Sequence, residues 1–229
     1  MEEDREDALS AQGQEDAETP PVFDAAFRDR LAELMVWRRD VRRFRVDPVP
    51  EALVDRLLDL AQLSASVGNA QPWRWVRVDS PAVREAVRAN FRACNEAALG
   101  DYDDERGRLY ASLKLEGLER APLQFAVFCD EATEQGHGLG RKTMPDMLRA
   151  SVAGMIANFW LLSRAEGVGV GWVSILDAPA IAHLLDVPAE WSLVAYLCVG
   201  FPEEFHADPE LVRHGWQDRT ALGRAVRVV

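Results

Sequence analysis

Apolar residues recur along this chain in two registers, one near 3.6 residues and one of two, and the changes between them mark out most of the fold. After Asp24, a candidate N-cap, Phe27, Leu31, Leu34 and Met35 repeat at helical spacing. "DPVPEALVDRLLDLAQLS" opens a second helix, with Pro50 in its first turn and Leu53, Leu57, Leu60 and Ala61 on one face. Small residues take over in "SASVGNAQP", which predicts a loop. "WRWVRVD" alternates as a strand does and stops at Ser80-Pro81. Residues 81–99 and 105–120 return to helical spacing, joined by the acidic turn "GDYDDE". The unbroken apolar run "PLQFAVFCD" predicts a buried strand. From 130 to 146 the chain is polar and carries Gly136, Gly138 and Gly140, so a mobile loop is expected. A buried helix over about 147–166 follows, with Gly167 at its C′ position. "VGWVSIL" then predicts a strand, "APAIAHLLD" a short helix and "SLVAYLCVGF" a second buried strand. The closing stretch "HGWQDRTALGRAVRVV" has too little periodicity to fold alone, and is expected to cross the surface of a partner. Helices and strands mix without strict βα alternation, which favours an α+β fold over a doubly wound one.

Composition adds bounds. With 229 residues, 48% hydrophobic and 28% charged, the chain is expected to form one soluble domain. Its acidity is uneven. Residues 1–20 set eight carboxylates against Arg5 alone, so −7 of the formal −12 sits there and the body carries only −5. Residues 1–22 are therefore expected to be a disordered acidic leader, and 23–229 the folded domain. An acidic start with no apolar run reads as no signal peptide. The most apolar stretch, 150–163, is broken by Ser151, Asn158 and Ser163 and flanked by Arg149 and Arg164, short of the roughly 20 residues a membrane span needs. Cys94, Cys129 and Cys198 are far apart, and four histidines lack metal-ligand spacing, so neither a disulfide framework nor a metal is expected. The expectation is a cytoplasmic, metal-free protein with no membrane or nucleic-acid partner.

One stretch departs from this acidic background. In "WRRDVRRFR", residues 37–45, Arg38, Arg39, Arg42, Arg43 and Arg45 crowd around a single Asp40. Cations at a helix end favour its macrodipole. Several guanidinium groups within two turns also repel one another unless an anion joins them, and phosphate, gripped bidentately, would do so. The residues alone leave both readings open. Asp40 beside so many cations is expected to have a lowered pKa and stay ionised, able to accept a proton or bind an N–H of a bound ring. "GVGVG" at 167–171 has a helix before it and a strand after it, the reverse of a dinucleotide fingerprint, so its glycines are read as a helix cap and a turn. Of the seven tryptophans, Trp73 and Trp172 sit beside loop motifs and are the candidates for touching a planar ligand.

Taken in order, "RRDVRRF", "SASVGNAQPWRWV", "LKLEGLERAPL", "AEGVGVGWVSI" and "LCVGF" resemble the nitroreductase-like flavoproteins over roughly residues 27–220. Among these, the pairing of Asp40 in the first motif with Ser174 in "GWVSI" is similar to the BluB family of 5,6-dimethylbenzimidazole synthases. General nitroreductases usually have serine at the first position and a proline–glycine loop at the second. The resemblance implies a central, mostly antiparallel sheet flanked by helices and a domain-swapped type of homodimer with FMN at the interface. It also implies an activity: reduced FMN is the substrate and, with O2, is broken into 5,6-dimethylbenzimidazole, the lower ligand of vitamin B12, and erythrose 4-phosphate. A separate flavin reductase would supply the reduced FMN. By the same resemblance Asp40 and Ser174 are the catalytic pair. Arg38, Arg39, Asp40, Val41, Arg42, Ser66, Gly68, Ser174 and Arg219 contact the flavin or its phosphate. Three departures stand out. The loop reads "SASVGNAQPW" where the synthases usually have A-P-S-V-G-F-M-Q-P-W, Leu148-Arg149 replaces Asp-Leu after "TMPDM", and "DRTALGRA" lacks a proline after the arginine. The alternatives are an FMN-dependent NAD(P)H nitroreductase or quinone reductase, which "GNAQPW" resembles, and a non-catalytic flavin-binding protein.

Overall fold

The computed structural model describes residues 20–100 and 117–219, together with Arg227 and Val229. Contacts divide the chain into two units, Met1–Glu33 and Leu34–Val229. In the first, Asp24 caps helix α1 (Ala25–Trp37) as its sequence position predicts: its Oδ1 accepts from Phe27 N at 2.7 Å. Phe23 stacks on Phe27 with ring centroids 4.7 Å apart. The acidic leader falls mostly outside the described residues.

The second unit is built on four antiparallel strands in the order β1-β2-β4-β3: β1 (Trp73–Arg77), β2 (Leu123–Asp130), β3 (Gly169–Val173) and β4 (Trp191–Gly200). Both faces of the central strands are buried, which is why β2 and β4 read as unbroken apolar runs. Their alternate residues serve two cores. Phe125, Val127 and Leu197 face helix α5 (Met147–Ala165), which contributes Val152, Met155, Ile156 and Phe159. Ala126, Phe128 and Tyr196 face the opposite way, towards Val87 of α3 (Pro81–Leu99) and Ile181 of α6 (Ala178–Leu184). Two helices start on side-chain caps: Ser80 accepts from Val83 N and Asp177 from Ala180 N. The antiparallel sheet between helices is the α+β arrangement the sequence implies.

Several details differ from the sequence pattern. Helix α2 (Glu51–Ala61) begins one residue after Pro50, and its buried face is Val54, Leu57 and Ala61, with Leu60 only half-buried. Strand β3 starts at Gly169 and stops at Val173, so Ser174 lies just beyond it. Of the helix expected over 105–120, the end is present as α4 (Gly117–Arg120), and 105–116 lie outside the described residues. The segment expected as a mobile loop, 130–146, is a succession of turns laid on residues 66–70. Gln135 Nε2 donates to Asn69 O at 2.9 Å, and a Cβ on Gly136 would sit 2.5 Å from Gly68 O. Short α7 (Glu210–Arg213) follows β4. No helix among the described residues is long and apolar enough to cross a membrane.

Candidate functional site

The arginine run leaves α1 as an extended segment and is laid along β3. Asp40 pairs with Val170 in a parallel bridge, and Val41 N donates to Val170 O at 3.1 Å. Phe44, fully buried, then pairs with Pro202. This close approach explains "GVGVG". Gly167 turns the chain at φ +76° after α5, as its C′ position predicts. Gly169 and Gly171 serve a different purpose. A Cβ on Gly169 would lie 2.7 Å from Val41 Cγ2, and one on Gly171 would overlap Val41 O. Without side chains at these two positions, the arginine segment can seat against the strand.

Seating sorts the five arginines. Arg38, Arg39 and Arg42 line one cleft with Asp40, Glu210, Leu211 and Arg219. Arg43 turns instead to Glu204, donating from Nε to Oε1 at 2.9 Å, and Arg45 pairs with Asp47 at 2.8 Å. Arg38 lies with its guanidinium carbon 4.7 Å from the Trp160 ring centre. Arg39 Nε donates to Ala207 O at 2.7 Å. Burial, then the charges of Arg219 and Arg38, pull the Arg39 pKa below the usual guanidinium value, against the opposing charge of Asp208. Arg42 Nε is buried with no hydrogen bond among the described residues. Mutually repelling cations and an unsatisfied donor in one cleft form a donor set that an anionic phosphate would complete. The cleft therefore fits the phosphate end of a flavin mononucleotide.

Asp40 Oδ1 accepts from Trp172 N at 2.9 Å, which fixes the carboxyl against β3. Contrary to the sequence expectation, its pKa is raised. Burial is the largest cause and outweighs the Trp172 N–H and the Arg42 charge, while Glu210 pushes in the same direction as burial. The expectation failed because the run disperses: Arg43 and Arg45 spend their charge on other carboxylates, and Arg42 Nε stays 3.6 Å from Asp40 Oδ2. One side of the Asp40 side chain still reaches solvent, 38% of it exposed, so a ligand can meet it.

The structure therefore brings Arg38, Arg39, Asp40, Arg42 and Arg219 together, while Val41 contributes backbone. Ser66, Gly68 and Ser174 do not line this cleft. Ser66 Oγ accepts from Gln71 N at 3.0 Å, and Gly68 takes φ +57° in a short 3₁₀ turn (Val67–Asn69) held by Val67 N donating to Ser151 Oγ. Ser174 is exposed, two residues beyond the Trp172 that holds Asp40. Of the two candidate tryptophans, Trp73 is a core residue at 5% exposure. Trp172 instead joins Trp160 (centroids 6.3 Å apart), Met35, Arg38, Ala157 and Leu161 around an open apolar pocket. Trp160 carried no sign of this beyond its helical spacing, and Glu210 had no local signal at all. The three cysteines are free, and no cluster of potential metal ligands occurs among the described residues.

Comparison with known proteins agrees with this geometry. The Nitroreductase family model matches residues 35–201. A 5,6-dimethylbenzimidazole synthase of Rhodospirillum rubrum is 58% identical over 201 residues, covering 88% of this chain and 95% of its own. A protein of the same name from Rhodobacter capsulatus is 50% identical over 196 residues, 86% of this chain and 95% of its own. Among solved structures, oxidized iodotyrosine deiodinase bound to FMN and 3-iodo-L-tyrosine superposes with a TM-score of 0.68 at 21% identity, covering 86% of this chain and all of that one, a likeness of fold. With a family model spanning most of the sheet-bearing unit and relatives matched over nearly their whole length, the chain belongs to the nitroreductase family.

Proposed function

We infer that the protein carries out the O2-dependent fragmentation of reduced FMN to 5,6-dimethylbenzimidazole and erythrose 4-phosphate. The observation that carries this reading is Asp40: a carboxyl fixed on the Trp172 N–H in a cleft that also holds Arg38, Arg39, Arg42 and Arg219. It occurs in a chain 58% identical to a protein named for that reaction. Arg38, Arg39, Arg42 and Arg219 bind the phosphate end of the ligand, with Arg38 also stacked on Trp160. Reduced flavin supplies both the electrons that activate O2 and the carbon skeleton of the product. What this chain adds is a grip on the phosphate and proton handling. The Asp40 carboxyl, its pKa raised above the ordinary carboxylate value by burial, both gives up and takes back a proton, as ring and ribityl cleavage require. Ser174 has a hydroxyl, a weak acid suited to hydrogen-bonding the flavin edge or oxygen rather than to acting as a base. A flavin reductase, a separate protein, delivers the reduced FMN, and a homodimer completes the site with the 66–70 loop of the second copy.

The test is to incubate the protein with excess reduced FMN in air and analyse the products by mass spectrometry. 5,6-Dimethylbenzimidazole and erythrose 4-phosphate in equal amounts are expected. Intact FMN recovered, with sustained NADH consumption in a parallel incubation supplied with NADH and FMN, would sink this reading in favour of an NAD(P)H oxidoreductase.

A further inference from the structure

A carboxylate from far along the sequence reaches into the arginine cleft. Glu210 opens α7, and its side chain is only 9% exposed. Its Oε2 lies 3.9 Å from Arg42 Nε, and its Oε1 lies 3.6 Å from Arg43 Nη1 and 3.5 Å from His214 Nε2. Asp40 Oδ2 lies 3.6 Å from the same Arg42 Nε. Arg42 thus stands between two carboxylates at nearly equal distance, and its buried Nε hydrogen-bonds to neither. Both separations exceed hydrogen-bond length, so the attraction is charge on charge, divided two ways. Whichever carboxylate the guanidinium closed upon would be held ionised, at the expense of the other.

We propose that Glu210 is a positioning residue that holds Arg42 back from Asp40 and so keeps the Asp40 carboxyl free to exchange its proton. This rests on the reading of Asp40 as the proton carrier. The remaining groups around Asp40 do not offer the same control. Arg38, Arg39 and Arg219 line the cleft, where a ligand phosphate would engage them. Cys198 faces Asp40 from β4 as a neutral thiol, its pKa raised by burial first and then by the Asp40 charge. Glu210 also pushes the Asp40 pKa upward through its own charge, adding to burial. Arg43 and His214 meet Glu210 from its other side and hold it in place, while Glu204 takes the rest of Arg43.

Exchanging Glu210 for a neutral group leaves Arg42 a single carboxylate to approach. The test is a carboxyl-carbon NMR titration of the full-length, ligand-free protein labelled at aspartate, with the Asp40 signal identified by its loss in Asp40→Asn. In Glu210→Gln the Asp40 midpoint should fall by about one unit, as Arg42 closes from 3.6 Å to hydrogen-bond distance and holds the ionised carboxylate more tightly. Glu210→Asp, which keeps the charge, should stay much closer to wild type. Glu210→Ala removes the same charge and serves if the glutamine variant does not fold. In parallel, the acidic limb of kcat against pH for benzimidazole formation should move down with the NMR midpoint. An unchanged Asp40 midpoint in both neutral variants overturns the proposal, and so does a fall of the same size when Glu210→Gln is made in an Arg42→Gln background, which would be the direct charge of Glu210 acting without Arg42. A shifted midpoint in a protein whose product formation ignores Asp40→Asn upholds the hold on Arg42 and defeats the catalytic reading of Asp40, so the two failures are distinct.

Discussion

Asp40 shows how far a residue's neighbours in sequence can mislead about its neighbours in space. Five arginines within eight positions imply a depressed pKa, yet the fold leaves it one nearby cation, one backbone N–H and a setting in which burial is the largest influence, and the balance reverses. The sign has a consequence for stability. Because the folded pKa lies above the unfolded one, the contribution of Asp40 is full below the ordinary aspartate range and is lost as pH rises through the folded value. Asp40→Asn carries no charge at any pH. Its Tm relative to wild type should therefore climb as pH rises above the ordinary aspartate range, about pH 4, measured without ligand by differential scanning fluorimetry. A difference that stays flat with pH would contradict the raised pKa. In the same variant, benzimidazole formation should drop by roughly 10²–10⁴-fold, the usual loss for a general acid–base group, while FMN still binds. The arginines make a separate prediction. If Arg38, Arg39, Arg42 and Arg219 grip a phosphate, riboflavin should bind about 10–100-fold more weakly than FMN, the worth of one or two charge-assisted hydrogen bonds. Fluorescence quenching titrations with both flavins measure this, and equal affinities would remove the phosphate from the account.

At the scale of elements, the site depends on an extended segment packed against β3 closely enough that two strand glycines must stay bare. Gly171→Ala should destabilise the protein by about 1–3 kcal/mol or more, because its Cβ overlaps Val41 O and the backbone has nowhere to retreat. Gly100→Ala is the control. There the added carbon meets Ala97 O at an ordinary 3.4 Å, and the change should be nearly neutral. Urea denaturation of the two variants checks both, and FMN affinity should fall only in the first. These glycines also mark where the sequence was readable. Helix before strand was enough to set aside a dinucleotide loop and to place Gly167 as a cap. The need for bare backbone at 169 and 171 was hidden, because its cause, Val41, lies far away in the chain. The same divide recurs elsewhere. Strands β2 and β4 were legible because burial on both faces leaves an unbroken apolar run. The 130–146 turns were not, because glycines announce turns without saying that Asn69 and Gly68 are what they lie against. Likewise Arg38, Arg39 and Asp40 were visible as a motif, whereas Glu210 could be found only through contacts.

The whole molecule raises a question that one chain leaves open, namely what covers its apolar surface and completes the cleft. Ala150, Gly154, Ala157 and Asn158 are exposed along α5, a surface of small side chains suited to close helix packing. Met35 is 58% exposed and Leu63 80%. The 66–70 loop, expected to contact the flavin, does not line the arginine cleft of its own chain. A homodimer in which each cleft is completed by the loop of the other copy accounts for all three. Light scattering should give twice the chain mass, and Gly154→Arg, which puts a long cation on the α5 surface, should yield a folded monomer that no longer binds FMN. Subunit mixing tests the shared site directly. Asp40→Asn disables the cleft, and Gly68→Glu disables the loop by placing a bulky anion where φ is +57°. Each variant alone should be nearly inactive. If cleft and loop come from different copies, a heterodimer of the two variants holds one site with both parts intact and one with both disabled. Unfolding and refolding an equal mixture should then restore about a quarter of the wild-type benzimidazole yield, since half the dimers are mixed and half their sites are whole. If cleft and loop belong to the same chain, every site in the mixture carries a lesion and nothing returns. An inactive mixture in which mass spectrometry shows heterodimers would therefore place the entire site within one copy and defeat the shared arrangement.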